Sequence, residues 1–448
     1  MSRFTLRLIF VARYNLEVFD PDAKKTILFN TLSGHSFYIT DEVCESIRSQ
    51  DVGQLDDETL QAFQKCGIVV DDTVDERRIV SYFHGKAKFS ADVVSSTVLL
   101  TWACNFACIY CYEGAGTMTE TMSDDQADRY IMFMKNEAER RRPKTMYVNL
   151  FGGEPLMNIG RGFYILEELS SYCAARDITF SCGVITNGTL LDEETIKKLL
   201  TFNCSMVQIT LDGLPETHNA RRPYKGGRAS FDDVIAAIKR LILHPQIRTV
   251  IRINVDKTNL LETEKLLEYI GKQNENLTQC SVDFGIVRGS TKACSSYSEN
   301  CLLDSEIGDT LSYLWTVSEA NGFKIYSRPY LRWMYCGLYA DSQFTITPDC
   351  GVFKCWEHAG MEEHKMGELD ANGNIINVKY AFFDWMSKTP IEDSECRECV
   401  YLPSCGGGCG AVSYNKENSY HAKGCFKIKG VLEQQIIRFA IETMQAKK

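Results

Sequence analysis

Three cysteines, Cys104, Cys108 and Cys111, stand in one short segment directly after the apolar run STVLLTW. Three thiolates in one loop can ligate three irons of a cubane iron–sulfur cluster and leave the fourth iron open to an exchangeable ligand. The alternative is a zinc knuckle, but a closed zinc site takes four ligands, and no fourth Cys or His stands nearby in the sequence. The spacing therefore favours an iron–sulfur cluster with an open iron.

A second group of cysteines lies towards the carboxyl end, in the tight spacings that are typical of metal ligands. The chain has 19 cysteines, and arginines interrupt its first apolar run before signal-peptide length, so we expect reduced thiols that hold metal. Two zinc sites are the alternative to iron–sulfur clusters. The candidate ligands are Cys336, Cys355, Cys396, Cys399, Cys405, Cys409 and Cys425.

Strands and helices must position these cysteines. Between about residue 95 and residue 290, apolar β-rich runs alternate with amphipathic helical runs, which predicts parallel βαβ units in a full or partial barrel. In such a fold the chemistry lies in loops at the carboxyl ends of the strands, and the loop of Cys104 follows the first strand. The predicted strands are STVLLTW, TMYVNLFG, ITFSCGVIT, MVQITLDG, TVIRINV and SVDFGIV.

The CxxxCxxC spacing, with the aromatic Tyr112 directly after it, resembles the radical S-adenosylmethionine (radical SAM) superfamily. The resemblance implies that the open iron chelates the amino and carboxylate groups of S-adenosylmethionine (SAM). One electron then yields a 5′-deoxyadenosyl radical, which abstracts a hydrogen from the substrate. The cofactor supplies the difficult chemistry, and the protein orients the reactants and excludes water. We therefore expect Cys104, Cys108 and Cys111 to be the catalytic cluster ligands.

The same resemblance implies SAM contacts at later strand ends. In the segment Gly152, Gly153, Glu154 and Pro155, bare backbone lets Glu154 or a carbonyl approach the methionyl ammonium. Arg222 and Arg252 are alternatives for gripping the methionyl carboxylate, because a guanidinium suits a planar carboxylate, and a structural ion pair is the competing interpretation. Further expected contacts are Thr186 and Asn187 with the ribose, where an ordinary Asn-Gly turn is the alternative, and Ile286 beside the adenine.

The carboxy-terminal cysteines resemble the SPASM extension of radical SAM enzymes, which holds two auxiliary [4Fe–4S] clusters. The resemblance implies three [4Fe–4S] clusters in total. Cys350 stands where that family has a glycine, so the first auxiliary cluster has either Cys350 as a fourth ligand or an open iron. The implied ligands are Cys336, Cys355 and Cys409 for this cluster, and Cys396, Cys399, Cys405 and Cys425 for the other.

The expected fold is therefore α/β, a partial (β/α)6 TIM-like radical SAM barrel with an added module at each end. We expect residues 1–80 to form a winged-helix-like peptide-recognition module and residues 92–310 to form the barrel. Residues 311–430 should form the cysteine-rich SPASM domain, and residues 431–448 a carboxy-terminal helix. The net charge of -10 argues against a nucleic-acid partner, since phosphate binding needs a cationic surface. No run reaches membrane-span length, so we expect a cytoplasmic protein.

SPASM-bearing enzymes mostly modify peptides, and the first 80 residues resemble a leader-peptide recognition element, which binds an extended leader by strand addition. We expect a ribosomally made precursor peptide as substrate, a flavodoxin or ferredoxin as electron donor, and a thioether or another intramolecular cross-link as product. The alternatives are formylglycine formation, as in anaerobic sulfatase maturases, and peptide epimerisation. A hypothesis of another class is a non-catalytic iron–sulfur protein for electron transfer or binding.

Overall fold

The computed structural model describes residues 9–114, 117–289 and 292–445. Residues 9–71 form a small module of two antiparallel sheets and two helices, in which β1 pairs with β5 and β2, β3 and β4 form a meander. The elements are β1 (Ile9–Val11), β2 (Asn15–Asp20), β3 (Lys25–Asn30), β4 (Ser36–Ile39), α1 (Asp41–Arg48), α2 (Asp57–Cys66) and β5 (Val69–Asp71).

A helix that the sequence analysis did not predict, α3 (Glu76–Lys88), connects this module to a ten-stranded sheet. In the first part of the sheet, parallel strands alternate with helices. The elements are β6 (Val93–Leu99), α4 (Asp124–Arg141), β7 (Thr145–Phe151), α5 (Ile159–Ala174), β8 (Thr179–Thr186), α6 (Glu193–Thr201), β9 (Cys204–Thr210), α7 (Pro215–Arg221), α8 (Phe231–Leu241), β10 (Arg248–Val255), α9 (Leu260–Ile270), β11 (Ser281–Ile286) and α10 (Ile307–Ala320).

The six parallel strands are those that the alternating pattern predicted, and they pair in chain order from β6 to β11. Their runs of buried Val, Ile and Leu pack against the helices and form the main core of the protein. Within the described residues, no strand pairs with the outer edge of β11. The sheet is therefore open on that side, as in a partial barrel.

The sheet continues beyond β6 with four short strands from the carboxy-terminal part of the chain. β12 pairs with β6 in parallel, and β13, β14 and β15 follow in antiparallel order. The remaining elements are β12 (Gln343–Ile346), β13 (Gly351–Phe353), β14 (Gly367–Leu369), β15 (Ile375–Ile376), α11 (Tyr380–Ser387), α12 (Ser394–Arg397), α13 (Leu402–Cys405), α14 (Gly410–Glu417) and α15 (Val431–Gln445).

The two ends of the chain pack on each other. Ile436 and Ala440 of α15 lie in one buried cluster with Val18 and Ile27 of the meander, and Cys405 belongs to the same cluster. The amino-terminal module therefore rests on the cysteine-rich region. Among the described residues, no helix combines the length and the apolar character that a membrane span needs.

Candidate active site

A cavity of about 480 Å³ opens at the carboxyl ends of the parallel strands, where the sequence analysis placed the chemistry. The loop after β6 contributes the three cysteines. Glu154, Pro155 and Ile286 are not in the wall, and Ile286 is part of the buried core on β11. The predicted residues that line it are Cys104, Cys108, Cys111, Tyr112, Gly152, Gly153, Thr186, Asn187, Arg222 and Arg252.

Two glycines after β7 hold the start of the cysteine loop. The amide of Gly153 donates to the carbonyl of Thr101 at 2.9 Å, and the amide of Glu154 donates to the carbonyl of Ala103 at the same distance. Gly152 has a φ of 129°, and a Cβ on it would collide with the carbonyl oxygen of Thr101. Only a residue without a side chain allows this close approach.

The carboxylate of Glu154 does not face the cavity, contrary to one expectation from the sequence. It is fully buried and accepts hydrogen bonds from the Thr186 hydroxyl at 2.7 Å, the Asn187 amide at 2.7 Å and the Leu156 amide at 3.0 Å. A carboxylate with three donors is satisfied within the protein. Glu154 therefore joins the ends of β7 and β8, and leaves the glycine backbone to face the cavity.

The expected ribose contacts have partners of their own. The Asn187 side chain donates to Asn105 Oδ1 at 2.7 Å and accepts from the amide and the hydroxyl of Thr189 at 3.0 Å and 2.8 Å. Thr186 donates to Glu154 and accepts from the amide of Gly188 at 2.9 Å. This is the bonding of a tight Asn-Gly turn, the alternative that the sequence left open.

Arg222 is buried in the wall of the cavity. Its Nη1 donates to the hydroxyl of Tyr110 at 2.8 Å, and Tyr110 donates to the buried carboxylate of Asp212. Burial alone lowers the pKa of Arg222, but Cys108, Tyr110 and Asp212 raise it well above the usual value. Its Nε has no hydrogen-bond partner among the described residues. A permanent cation with a spare donor thus lies beside the cysteine loop.

Arg252 is bonded differently. Its Nε donates to Asn254 Oδ1 at 3.1 Å, and Nη1 forms an ion pair with Asp283 on the neighbouring strand. Between the two candidates for a methionyl carboxylate, Arg252 already has a carboxylate partner in Asp283 and fits the competing interpretation of a structural ion pair, whereas Arg222 forms no ion pair with a described residue.

Burial also changes the pKa of the cysteine thiols of the loop. It raises the pKa of Cys104 to about 12, and it raises the pKa of Cys108 although the nearby Arg222 lowers it. Desolvated thiols become thiolates when a metal takes the place of the proton. Burial therefore favours the protonated thiols, which are poor free nucleophiles.

Comparisons with known proteins identify this site. Residues 98–270, which contain the cysteine loop and the strands around the cavity, match the model of the Radical SAM superfamily. The chain carries a radical SAM domain. Enzymes of this superfamily bind SAM and a [4Fe–4S] cluster. The donor set fits both groups, because three thiols line the cavity and the cationic side chain of Arg222 lies in the same wall.

A curated relative covers much of the chain. The cysteine-type anaerobic sulfatase-maturating enzyme of Clostridium perfringens is 23% identical over 341 residues, which are 70% of this chain and 88% of the relative. Three other relatives, 27% to 32% identical, match over only 32% to 40% of their own length. The chain is therefore similar to a sulfatase-maturating enzyme over most of its length and to the three other relatives over less than half of theirs.

Solved structures have the same fold. The structure of anSMEcpe with bound AdoMet and Cp18Cys peptide superposes with a TM-score of 0.59 at 18% identity, over 79% of this chain and 99% of that one. Streptococcus suis SuiB bound to precursor peptide SuiA has a TM-score of 0.52 at 14% identity, and the match covers 93% of this chain and 99% of SuiB.

Outside the radical SAM domain, four of the predicted cluster ligands line one small cavity together with glycine backbone. The peptide of Gly424 lies against Cys409 so closely that a Cβ on Gly424 would collide with the Cys409 carbonyl, and Gly408 lies against Gly424 in the same way. Bare backbone therefore brings distant segments of the chain together. The cysteines of this four-cysteine group are Cys396, Cys399, Cys405 and Cys425.

Cys336, Cys355 and Cys409 form a separate three-cysteine group. Burial raises the pKa of Cys355 well above the usual value, and the nearby Glu357, Cys409 and Cys336 raise it further. Trp356, the neighbour of Cys355, lines the radical SAM cavity. This group is therefore adjacent to that cavity.

Cys350 is not brought to the three-cysteine group. Its buried thiol donates to the carbonyl of Gln126 on α4 at 3.4 Å, and the charged groups that act on it are Arg129, Asp349 and Asp125. It occupies the turn between β12 and β13 with a φ of 66°, a conformation that glycine adopts without strain. The position of Cys350 thus does not support the expectation that it is a fourth ligand. The left-handed turn conformation at this position explains why the SPASM family has a glycine there.

Within the described residues, no three Cys, His, Asp or Glu side chains are arranged to hold one metal ion. Tyr110 and Asn254 are among the residues of the cavity wall that the sequence analysis missed. Tyr110 stands between two of the cluster cysteines and was available as a candidate, but nothing in the spacing showed that it would bond to Arg222.

Proposed function

We propose that this protein is a radical SAM maturase that modifies a ribosomally made precursor peptide, forming a thioether or another intramolecular cross-link. The observation that carries this proposal is the position of Trp356. Trp356 lines the cavity and directly follows Cys355 in the chain, which supports a substrate site next to the three-cysteine group. A substrate in that cavity would meet both sets of cysteines.

Cys104, Cys108 and Cys111 would hold the SAM-binding [4Fe–4S] cluster. When bound, this cluster and SAM supply a 5′-deoxyadenosyl radical that abstracts a hydrogen atom from the substrate. The chain itself provides binding and orientation. The Gly152 and Gly153 backbone would face the amino group of SAM, and the Arg222 guanidinium would bind its carboxylate. The buried walls exclude water from the cavity.

The other cysteines would hold two auxiliary [4Fe–4S] clusters. The four-cysteine group supplies one ligand for each iron of a cubane. The three-cysteine group supplies one ligand too few, because Cys350 bonds to α4 instead. A site with a spare position beside the substrate cavity favours a peptide that carries a cysteine thiol, and hence a thioether product. A flavodoxin or ferredoxin would deliver the electrons.

The substrate would bind through its leader to the amino-terminal module. Both small sheets of this module have edge strands, to which an extended leader can add by main-chain hydrogen bonds. The likeness to SuiB, whose structure contains a precursor peptide, extends over 93% of this chain and so includes much of this module. We take this coverage as support for a leader-guided reaction.

Formylglycine formation is the second candidate, favoured by the relationship to a sulfatase-maturating enzyme over 70% of the chain. One residue counts against it. The sulfatase maturases that the sequence resembles carry a catalytic Asp directly after the ligand equivalent to Cys355, whereas Trp356 stands here. Peptide epimerisation is a third outcome that the first experiment separates.

The first experiment incubates the reconstituted enzyme anaerobically with SAM, dithionite and candidate precursor peptides, and reads peptide masses. Loss of two hydrogens from a cysteine-containing peptide, absent with Cys104→Ala, supports cross-link formation. Conversion of Cys in a sulfatase-derived peptide to formylglycine would support the second candidate. An unchanged peptide mass in ordinary water, together with uptake of deuterium from deuterated solvent, would indicate epimerisation. Failure to release 5′-deoxyadenosine from SAM under these conditions would overturn all three.

A further inference from the structure

A second cavity of about 360 Å³ adjoins the radical SAM cavity on the same face of the sheet. Both cavities are lined by Gln208 of β9 and Asp283 of β11. Because side chains two residues apart on a strand share a face, Met206 and Arg248 continue the wall towards the amino ends of the strands. The second cavity is thus a vestibule of the first.

The charge of this vestibule is positive. Arg248, Lys324 and Lys427 line it, against the single carboxylate of Asp283. Asp283 is already paired with Arg252, and Lys427 donates to the carbonyl of Phe284 at 2.6 Å. The side chains of Arg248 and Lys324 are exposed and make no hydrogen bond or ion pair to the described residues. Two cations are therefore available to an anionic ligand, in a chain whose overall charge is -10.

Lys324, Ile325 and Tyr326 line the vestibule, and they begin an irregular segment of the chain, residues 324–331. Its side chains alternate, so that Lys324, Tyr326, Arg328 and Tyr330 are exposed. Its backbone amides and carbonyls make no hydrogen bond to any other backbone group that the structure describes. A segment with unpaired main-chain groups can bind an extended chain by strand addition, which a small anion cannot exploit.

We infer that this vestibule, formed by Arg248, Lys324 and Lys427 beside residues 324–331, binds an acidic stretch of the peptide substrate. The inference rests on the proposed function and adds a specificity to it. Carboxylates of the peptide pair with Arg248 and Lys324 while its backbone lies along residues 324–331. The residue to be modified is then presented past Gln208 and Asp283 to the cysteine-lined cavity. The substrate carries Asp or Glu near its modified position.

The test uses the reconstituted full-length enzyme and three fluorescein-labelled synthetic peptides of equal length and composition except for one central block of Glu, Gln or Lys. Fluorescence anisotropy at low salt measures their affinities. We expect the Glu peptide to bind about tenfold more tightly than the Gln peptide, and the difference to shrink as salt screens the charges. Equal binding of the three peptides would overturn the inference.

Charge-reversed variants locate the site. Arg248→Glu combined with Lys324→Glu should remove the preference for the Glu peptide. Lys265→Glu is the matched control, because Lys265 is also an exposed cation but lies on α9, away from this vestibule. It should keep the preference. A double variant that still prefers the Glu peptide would place the acidic stretch elsewhere and exclude this vestibule.

A separate measurement tells this failure from a failure of the proposed function. Wild-type enzyme is assayed for 5′-deoxyadenosine release and for modification of a precursor peptide. An enzyme that modifies its peptide but has no preference for acidic residues refutes the vestibule alone. An enzyme that cleaves no SAM refutes the proposed function, whatever the peptides do.

Discussion

The backbone amide of Asn187 donates a hydrogen bond to Oε2 of Glu154 at 2.7 Å, and so joins the loop after β8 to the loop after β7. The same carboxylate accepts from Thr186 and Leu156 through Oε1. Glu154 has no exposed surface. The two loops that form one side of the SAM cavity are thus held by a single buried carboxylate.

Replacing Glu154 by Gln should destabilise the protein. The substitution replaces one acceptor oxygen by an NH2 group, which cannot accept a hydrogen bond from the donors around it. A buried donor that loses its acceptor costs about 1–3 kcal/mol of stability. Urea denaturation of Glu154→Gln measures the change. Glu216→Gln, which removes an exposed carboxylate of α7, is the control. If both variants unfold at the same urea concentration, the carboxylate does not hold the loops.

Arg222→Lys should weaken SAM binding about tenfold or more, because an ammonium cannot keep the bond to Tyr110 and also reach a carboxylate as a guanidinium does. Arg252→Lys should have a smaller effect, since Arg252 is already paired with the carboxylate of Asp283. Equilibrium dialysis with SAM compares the two. A larger loss for Arg252→Lys would reverse the assignment of the carboxylate contact.

The sequence was sufficient for the strands and for the place of the cysteine loop, because buried parallel strands leave a strong apolar pattern and their carboxyl ends share one edge. It was not sufficient for the partners of individual side chains. Nothing in GGEP shows that Glu154 turns inwards to Asn187, which lies 33 residues further along the chain. Arg222 and Arg252 were equivalent in the sequence, and only the position of Asp283 across the sheet separates them.

Two buried histidines predict a pH dependence of stability. The rings of His358 and His364 stack with centroids 3.8 Å apart, and burial lowers the pKa of both to about 4. Unfolded histidine titrates near pH 6.5, so below that pH the unfolded chain binds more protons than the folded one. The neutral pair therefore makes its full contribution to the stability of the folded protein above about pH 6.5, and this contribution is lost as the pH falls towards 4.

The free energy of unfolding should therefore fall between pH 7.5 and pH 5.5, by up to about 1.4 kcal/mol per pH unit for each histidine below its unfolded pKa. His364→Phe keeps an aromatic ring against Tyr414 and should reduce this slope. His35→Gln removes an exposed histidine and should leave it unchanged. Urea denaturation at each pH gives the slopes, and a slope that His364→Phe does not alter would rule out the histidine pair as its source.

The variant Cys350→Gly distinguishes between two roles of Cys350, a structural residue of the turn and a cluster ligand. Cys350 takes a left-handed conformation in the hairpin of β12 and β13, which glycine adopts without strain, while its thiol is buried against α4. We expect the variant to keep the iron and sulfide content of the wild-type protein. Cys409→Ala, which removes a member of the three-cysteine group, should lower both. The stability of Cys350→Gly should change little. Relief of the backbone strain stabilises the variant by about 1 kcal/mol, and this gain offsets the lost packing of one small side chain. Loss of iron from Cys350→Gly equal to that from Cys409→Ala would show that the thiol leaves α4 and ligates the cluster.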